Sequence, residues 1–348
     1  MPTLKPARTP ACLLFLLLLT CGLLPTQAMA QLFCVWDPLG AGGDYFSLFK
    51  DYQLAAKRWG INIDLKPYVD DTELDAAFRS GQCDMASMIG MHARQYNQFT
   101  GTLDAPGVLD SYAEVRDAMA VMASPKLAKY MLSNGYEVVG VMPIGASYPV
   151  VRDRSINSLE RAAGKKVVVM KFDKTQPMLA EDYKAIPVAV DPAKMGDAFN
   201  KGEVDVFIAP MVLYKPMELY KGIGTTGGIV RRPLFELSMQ VLVHSDKFPA
   251  DFGQKSREYI LTQTDHALGI IHNQEADVDP HFWIYAMHNE LTEWKTNMRS
   301  TLEHLTKAGY FDRHMLALLK RVRCKEDAQE PDCTPTPDQQ PAAAATHP

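Results

Sequence analysis

The sequence predicts a mixed α/β fold with two similar lobes, each a sheet flanked by helices. The motif A-F-x-x-G-x-x-D occurs at residues 77–84 and again at residues 198–205, once in each half of the chain. Each copy ends an amphipathic helical pattern, is broken by glycine and is followed by an apolar run. Two strand-like apolar segments precede each copy. The order strand, helix, strand, helix, strand in both halves is typical of a parallel sheet covered by helices.

The predicted strands indicate where a ligand would bind. In open α/β sheets, ligands lie at the carboxyl ends of the strands, so two facing lobes would form a cleft between the loops that follow their strands. The strands are predicted at residues 32–36, 61–65 and 85–91 in the first lobe and at residues 166–170, 186–190 and 206–211 in the second.

Two segments are expected to cross between the lobes. Residues 136–144 form a predicted strand that leads to a crossing at residues 145–149, and residues 229–244 form a long strand that returns. Two crossings make a hinge about which a cleft can close while each lobe stays rigid. Further helices are expected at residues 110–135, 251–273, 280–308 and 314–323.

These elements predict the division of the chain. We expect a signal peptide at 1–30, lobe I at 31–144 with about 236–280, lobe II at 145–235 with about 281–320 and the C-terminal helices, and a flexible tail at 321–348.

The first thirty residues have the layout of a secretory signal. Lys5 and Arg8 precede an apolar run at residues 13–19, and an A-x-A cleavage site occupies residues 28–30. We therefore expect a periplasmic, soluble mature protein, because no other apolar window approaches the roughly 20 residues of a membrane span. A lipoprotein modified at Cys21 is the alternative, although the threonine before that cysteine is unfavourable.

Charge and motifs exclude several classes of function. Cleavage would leave 318 residues with 34 basic and 41 acidic side chains, a net charge of −7, and no basic cluster suited to nucleic acid. The sequence has no G-x-G-x-x-G, no phosphate-binding loop, no H-E-x-x-H and no G-x-S-x-G. We therefore expect a protein that is not an enzyme and holds no cofactor or metal. A monomer is expected as well.

Four cysteines remain after cleavage, and exported chains with an even number favour disulfides. Cys34 is placed on the first strand of lobe I and Cys83 on its third, and these strands are neighbours in a sheet ordered 2-1-3. We therefore expect a Cys34–Cys83 bridge and a local Cys324–Cys333 bridge. Buried free thiols at Cys34 and Cys83 are the alternative.

Several segments resemble the TRAP-transporter periplasmic solute-binding proteins. The resemblance is carried by residues 158–167, 186–188, 197–205, 242–249 and 257–260. It implies a two-lobed periplasmic-binding-protein fold of type II-like architecture, which captures a small molecule and presents it to integral-membrane transporter subunits. Residues 34–40, 93–97 and 218–222 resemble more closely the branch of solute-binding proteins that includes AdeT-like proteins.

One residue departs from the pattern of the resembling family, and this difference affects which ligand is expected. The resembling family typically carries an arginine in the strand after its Gly-Lys motif, where the planar guanidinium binds a substrate carboxylate, but Val168 stands at that position here. An organic acid is one candidate ligand, and its cationic partner must then come from elsewhere. Arg94, after the third strand, is the best such candidate.

The loop at residues 37–44 joins the first strand to the first helix and would line the cleft. Its glycines allow close approach of the backbone to a ligand, and Asp44 is predicted as the helix N-cap. Tight-turn geometry alone is the alternative explanation. With residues after the other strands, the candidate ligand-binding set is Asp37, Gly42, Gly43, Asp44, Met88, Arg94, Tyr148, Phe172, Met211, Tyr214 and Glu218.

The sequence leaves open the charge of the ligand and the class of function. An anionic ligand would need Arg94, whereas a neutral or cationic ligand would be held by aromatic rings with Asp44 or Glu218. The leading hypothesis is a solute-binding protein. The alternatives are a noncatalytic envelope protein associated with transport or efflux that has lost its pocket, and an enzyme that reuses the fold.

Overall fold

The computed structural model describes residues 1, 3, 30–285, 289–328 and 333. Most of the predicted signal peptide and most of the predicted tail therefore lie outside the described residues. Within the described part of the chain, no helix is both long and apolar enough to cross a membrane.

Eleven strands and thirteen α-helices make up the described fold. The strands are β1 Gln31–Trp36, β2 Ile63–Tyr68, β3 Met85–Ile89, β4 Leu132–Ser133, β5 Tyr136–Val151, β6 Lys166–Met170, β7 Ile186–Val190, β8 Val206–Pro210, β9 Gly228–Val230, β10 Phe235–His244 and β11 Trp283–Ile284. The helices are α1 Asp44–Arg58, α2 Asp71–Arg79, α3 Gly90–Ala93, α4 Gln98–Gly101, α5 Tyr112–Met122, α6 Ala128–Met131, α7 Thr175–Asp182, α8 Met195–Asn200, α9 Leu219–Ile223, α10 Phe252–Thr262, α11 Thr264–Ala276, α12 Asn289–Lys307 and α13 Arg313–Glu326.

The main sheet confirms the predicted α/β architecture. Its strand order is β2-β1-β3-β10-β5-β8-β6-β7. The strands of lobe I, β2-β1-β3, and those of lobe II, β7-β6-β8, are parallel within each group and have the same 2-1-3 order. Between them lie the antiparallel strands β5 and β10, which connect the two groups. One large hydrophobic cluster extends through both lobes, and a smaller one lies within lobe II.

The repeated motif has the same structural role in both lobes. Asp84 accepts a hydrogen bond from the amide of Leu32 at 2.8 Å, and Asp205 accepts one from the amide of Lys166 at the same distance. Each aspartate thus joins the start of the third strand of its lobe to the start of the first. The motif glycines have φ of +76° and +78°, a region that favours glycine, and the motif phenylalanines are fully buried. The repeat is therefore a folding element rather than a ligand site.

Several predicted elements are shorter than expected, and proline accounts for two of the interruptions. The predicted helix at 280–308 contains strand β11 and is helical as α12 from Asn289, and the predicted strand at 85–91 ends at Ile89. The predicted helix at 110–135 ends at Met122, because Pro125 cannot continue an α-helix and disfavours helical geometry in the residue before it. The predicted strand at 229–244 divides into β9 and β10 on either side of Pro233. The predicted helix at 251–273 is two helices, α10 and α11, that meet at Gln263.

The first crossing is a single strand. β5 pairs with β10 from lobe I onward and then with β8 of lobe II, so the predicted strand at 136–144 continues through the predicted crossing to Val151. Gly145 has φ of +116°, and a register shift in the pairing occurs opposite it, between Leu237 and Ser238. Glycine is suited to this irregular position because a side chain would be strained there.

The C-terminal helices divide between the lobes. α12 packs against α7 of lobe II, as expected. α13 instead contacts α5, and the amide of Asp312 donates to Thr102 Oγ1 at 2.8 Å, so the last helix returns to lobe I. This helix continues to Glu326, past the predicted start of the flexible tail at residue 321. The exact lobe boundaries remain a prediction.

Both predicted disulfides are present. Cys34 and Cys83 are joined with an S–S distance of 1.98 Å, and Cys324 and Cys333 with 1.93 Å. Cys34 and Cys83 are fully buried, so the first bridge lies inside the core of lobe I, where it links β1 to the segment before β3.

Candidate functional site

A cavity of about 260 Å³ lies between the lobes, at the carboxyl ends of the parallel strands. We call it the central cavity. Small-molecule sites in proteins are typically about 300 to 1,000 Å³, so this space is suited to a small ligand. Its lining residues are Trp36, Pro38, Val69, Asp70, Asp71, Ile89, Met91, Ser147, Met170, Gln176, Pro192, Ala193, Met195, Phe207, Ile208, Pro210, Leu213, Pro216, Met217, Phe235 and Leu237.

The lining is mainly apolar, with few polar groups. Three aromatic rings contribute to it, those of Trp36, Phe207 and Phe235. The ionisable side chains in the described lining are the carboxylates of Asp70 and Asp71, and no lysine, arginine or histidine belongs to it. The cavity can therefore offer rings and hydrogen-bond acceptors to a ligand, but no direct cationic partner.

Asp71 belongs to a buried pair that the sequence analysis missed. Its carboxylate accepts from the amide of Ile89 at 3.3 Å and pairs with Nδ1 of His92. Burial raises the pKa of Asp71, while the hydrogen bond with His92 acts in the opposite direction. Both residues follow strands of lobe I in the sequence: Asp71 lies after β2, at the start of α2, and His92 lies after β3, 21 residues further along the chain. These two positions were the signal from which the pair could have been predicted.

Ser147 is the second polar group that the sequence did not single out. It lies on β5 at the crossing between the lobes and is fully buried. Its Oγ has no hydrogen-bond partner among the described residues, although the residue lines the central cavity. Buried hydroxyl groups are usually paired, so an unpaired one in a residue that lines a cavity is a candidate hydrogen-bond partner for a ligand.

The two lobes touch along one side of the central cavity. The ring of Phe172 in lobe II stacks on His92 in lobe I with 3.5 Å between ring centroids. Beside this stack, Arg94 of lobe I forms an ion pair with Asp173 of lobe II. Gln176 Nε2 also donates to Met91 Sδ at 3.4 Å. These contacts hold the lobes in a closed arrangement.

Arg94 and Phe172, two of the predicted ligand-binding residues, are thus brought together, but neither lines the central cavity. Both border a more open space of about 320 Å³ on the far side of Met91. The guanidinium of Arg94 is committed to Asp173 and also lies over the ring of Phe311, 5.3 Å from its centroid.

Asp37 caps helix α1, a role that the sequence analysis predicted for Asp44. Its carboxylate accepts from the amides of Tyr45 and Phe46 at 3.0 and 3.1 Å, so it caps helix α1. The prediction that Asp44 is the N-cap is wrong, because Gly43 occupies that position and provides no side chain. A Cβ at Gly43 would lie 1.8 Å from the Asp37 carboxylate, so glycine is required there for the cap to form.

Other predicted residues form a neighbouring site. Asp37, Asp44, Met211 and Tyr214 line a cavity of about 110 Å³, which shares two prolines with the wall of the central cavity. Gly42 is exposed beside them.

The remaining three predicted residues do not border the central cavity. Met88 is fully buried on β3. The hydroxyl of Tyr148 donates to Glu275 at 2.8 Å. Glu218 is exposed and forms an ion pair with a lysine three residues later in the chain.

The sequence matches the family model described as "Solute-binding protein AdeT 1/2" over residues 53–338. It is also 42% identical over 299 residues to the "Probable solute-binding protein AdeT1" of Acinetobacter baumannii, covering 86% of this chain and 98% of the relative. The chain belongs to the AdeT solute-binding protein family. The "Probable solute-binding protein AdeT2" of the same organism is 22% identical over 67% of this chain and 98% of the relative.

Solved structures share the fold of this AdeT family member. A TRAP periplasmic solute-binding protein from Ralstonia eutropha with bound (S)-2-acetolactate has a TM-score of 0.69 at 15% identity, covering 85% of this chain and 98% of that one. Another from Rhodoferax ferrireducens with bound malonate has a TM-score of 0.68 at 15% identity, covering 86% and 100%.

Val168 stands where the resembling family typically carries an arginine, and the structure of the AdeT family member shows where this residue lies. Val168 is buried on β6 and borders a separate cavity of about 60 Å³ within lobe II. The β6 residue that lines the central cavity is Met170, which is also uncharged. No cation therefore reaches the cavity from this strand. Among the described residues, no group of three or more His, Cys, Asp and Glu side chains could hold a metal ion.

A buried carboxyl group in the AdeT family member gives a pH prediction. Glu236, on β10 between the lobes, has a pKa raised to about 8 by burial and by the nearby Glu275, Asp110 and Glu114. Between its ordinary pKa of 4.5 and about 8, the folded state binds a proton that the unfolded state has lost. The contribution of Glu236 to the free energy of unfolding is therefore present below pH 4.5 and decreases as pH rises from 4.5 to about 8.

We expect Glu236→Gln to stabilise the protein by roughly 1 to 4 kcal/mol at pH above 8 and to have little effect near pH 4.5. Urea denaturation of wild type and variant at several pH values measures this difference. Glu203→Gln, at an exposed position, is the control. An equal effect of Glu236→Gln at all pH values would contradict the prediction.

Proposed function

We propose that the protein captures a small molecule in the central cavity and presents it to integral-membrane subunits of a TRAP-like transporter. The observation that carries the proposal is a cavity of about 260 Å³ where the strand ends of the two lobes meet. The protein acts in the periplasm after cleavage of its signal peptide, as a monomer and without catalysis. An envelope protein that had lost its pocket would not need a cavity of this kind.

Capture involves closure of the lobes about β5 and β10. These are the two strands that run between the lobes, so a small rotation about them separates the cavity walls without disturbing either parallel sheet. The contacts of Arg94 with Asp173 and of Phe172 with His92 cross the cleft and would be broken on opening.

The structural neighbours support small-molecule capture but do not define the ligand. Those from Ralstonia eutropha and Rhodoferax ferrireducens hold acetolactate and malonate, both carboxylates. Arg94, the predicted partner of a carboxylate, is paired within the protein and lies outside the central cavity. An organic acid would therefore lack a cation in this cavity.

Native mass spectrometry tests the capture of a ligand. Protein purified from the periplasm without refolding is expected to retain a small molecule that is released on denaturation. Ala193→Trp should reduce retention, because Ala193 is a lining residue of the central cavity and an indole there would narrow the space. Ala163→Trp, at an exposed position of lobe II outside the cavity, should retain the molecule. Equal retention by both variants would place the ligand elsewhere, and its absence from the wild type would count against capture.

A further inference from the structure

We propose that the ligand of the central cavity is a small organic amine, with one ammonium group and an apolar, preferably aromatic, body. This inference rests on the proposed function and adds the chemical class of the ligand. It departs from the carboxylates held by the two structural neighbours.

The charges around the cavity favour a cation. Asp70 and Asp71 are the ionisable residues of the described lining, and both are acidic. Asp71 pairs with His92, and one oxygen of Asp70 accepts from two amides at the start of α2, but no lysine, arginine or histidine belongs to the described lining. Arg94 lies outside the lining, and its charge is compensated by Asp173. A carboxylate in this cavity would lose its hydration and meet like charge, whereas an ammonium group would meet opposite charge.

The neutral groups of the lining also suit an amine. The unpaired Oγ of Ser147 can accept a hydrogen bond from an ammonium group. The faces of Trp36, Phe207 and Phe235 can interact with a cation or stack on an aromatic body. Because Ser147 is fully buried and its hydroxyl has no partner among the described residues, it is evidence for a ligand independent of the two carboxylates.

The size of the cavity limits the body of the amine. A volume of about 260 Å³ is just below the usual range for ligand sites, and most of the wall is aliphatic or aromatic. A compact apolar body would displace water from this wall favourably. A highly hydroxylated or multiply charged molecule would leave most of its polar groups unpaired.

Isothermal titration calorimetry with matched compounds tests the chemical class. Phenethylamine, phenethyl alcohol and hydrocinnamate share a phenylethyl body and carry an ammonium, a hydroxyl and a carboxylate group. A panel of other aryl and alkyl amines, each with its matched alcohol and acid, extends the comparison. We expect the best amine to bind about 10-fold tighter than its alcohol and about 100-fold tighter than its acid at neutral pH.

Two substitutions examine the carboxylates. Asp70→Asn should weaken amine binding about 5-fold or more and leave alcohol binding unchanged, because asparagine can still cap α2 as Asp70 does through the amides of Thr72 and Glu73. Asp71→Asn should act in the same direction. The exposed Asp51→Asn is the matched control and should not change the affinity.

The outcomes separate the ligand class from the site. Tighter binding of acids than amines, or binding of no amine in the panel, would overturn the amine assignment without affecting the retention experiment on the proposed function. Amine binding that survives Ala193→Trp would instead show that the central cavity is not the site.

Discussion

Removal of the Cys34–Cys83 disulfide is expected to lower the free energy of unfolding by about 4 kcal/mol. The bridge closes a loop with a sequence separation of 49 residues that includes α1, β2 and α2, and it thereby restricts the unfolded chain. Both sulfur atoms are fully buried, so the bridge also fills core volume between β1 and β3. The effect should be visible as a lower denaturation midpoint in urea.

A double-mutant cycle distinguishes the bridge from simple packing. Cys34→Ala and Cys83→Ala should each cost nearly as much as the double variant, because either change removes the bond. Costs that are small and add across the two sites would indicate that the cysteines contribute only as buried side chains.

The variant Arg94→Ala is expected to shift the protein toward an open arrangement of the lobes, by roughly 3 kcal/mol. The Asp173 side chain is fully buried, and its Oδ1 already accepts from Thr175 and Gln176. Without Arg94, Oδ2 would remain as a buried charge next to lobe I. Opening the cleft returns that charge to water, so the open form gains relative to the closed form.

Small-angle X-ray scattering of the ligand-free protein measures this shift. The radius of gyration should increase for Arg94→Ala and stay unchanged for Arg79→Ala. Arg79 is the appropriate control because its ion pair with Asp75 lies within one helix and is half exposed, so it does not join the lobes. The same compact shape for both variants and wild type would show that the Arg94 contact does not hold the cleft closed.

Much of the fold could be predicted because it depends on local patterns. The repeated motif marked the same helix-to-strand junction in both halves, and the 2-1-3 order placed Cys34 on β1 beside Cys83, which directly precedes β3. The helix predicted through Pro125 was an avoidable error, because the effect of proline is itself a local signal. The return of α13 to lobe I depends on tertiary packing and had no such signal.

The site was harder to predict because its residues are distant in sequence and chemically ordinary. Arg94 was recognised as a cation near the cleft, but its partner Asp173 is 79 residues away in the other lobe. The walls of the central cavity are largely apolar residues such as Phe207 and Phe235, which look like core residues in the sequence. Asp44 was predicted as the N-cap because it is adjacent to helix α1, whereas the cap is Asp37, which only the folded loop brings to the start of that helix.

A crystal structure of the protein with its retained small molecule would test most directly whether the central cavity is the binding site. We predict electron density for the molecule between Trp36, Phe235 and Leu213, with the lobes closed about β5 and β10. Density for the molecule in the lobe II cavity beside Val168, or on the outer surface with the central cavity filled only by water, would contradict this assignment.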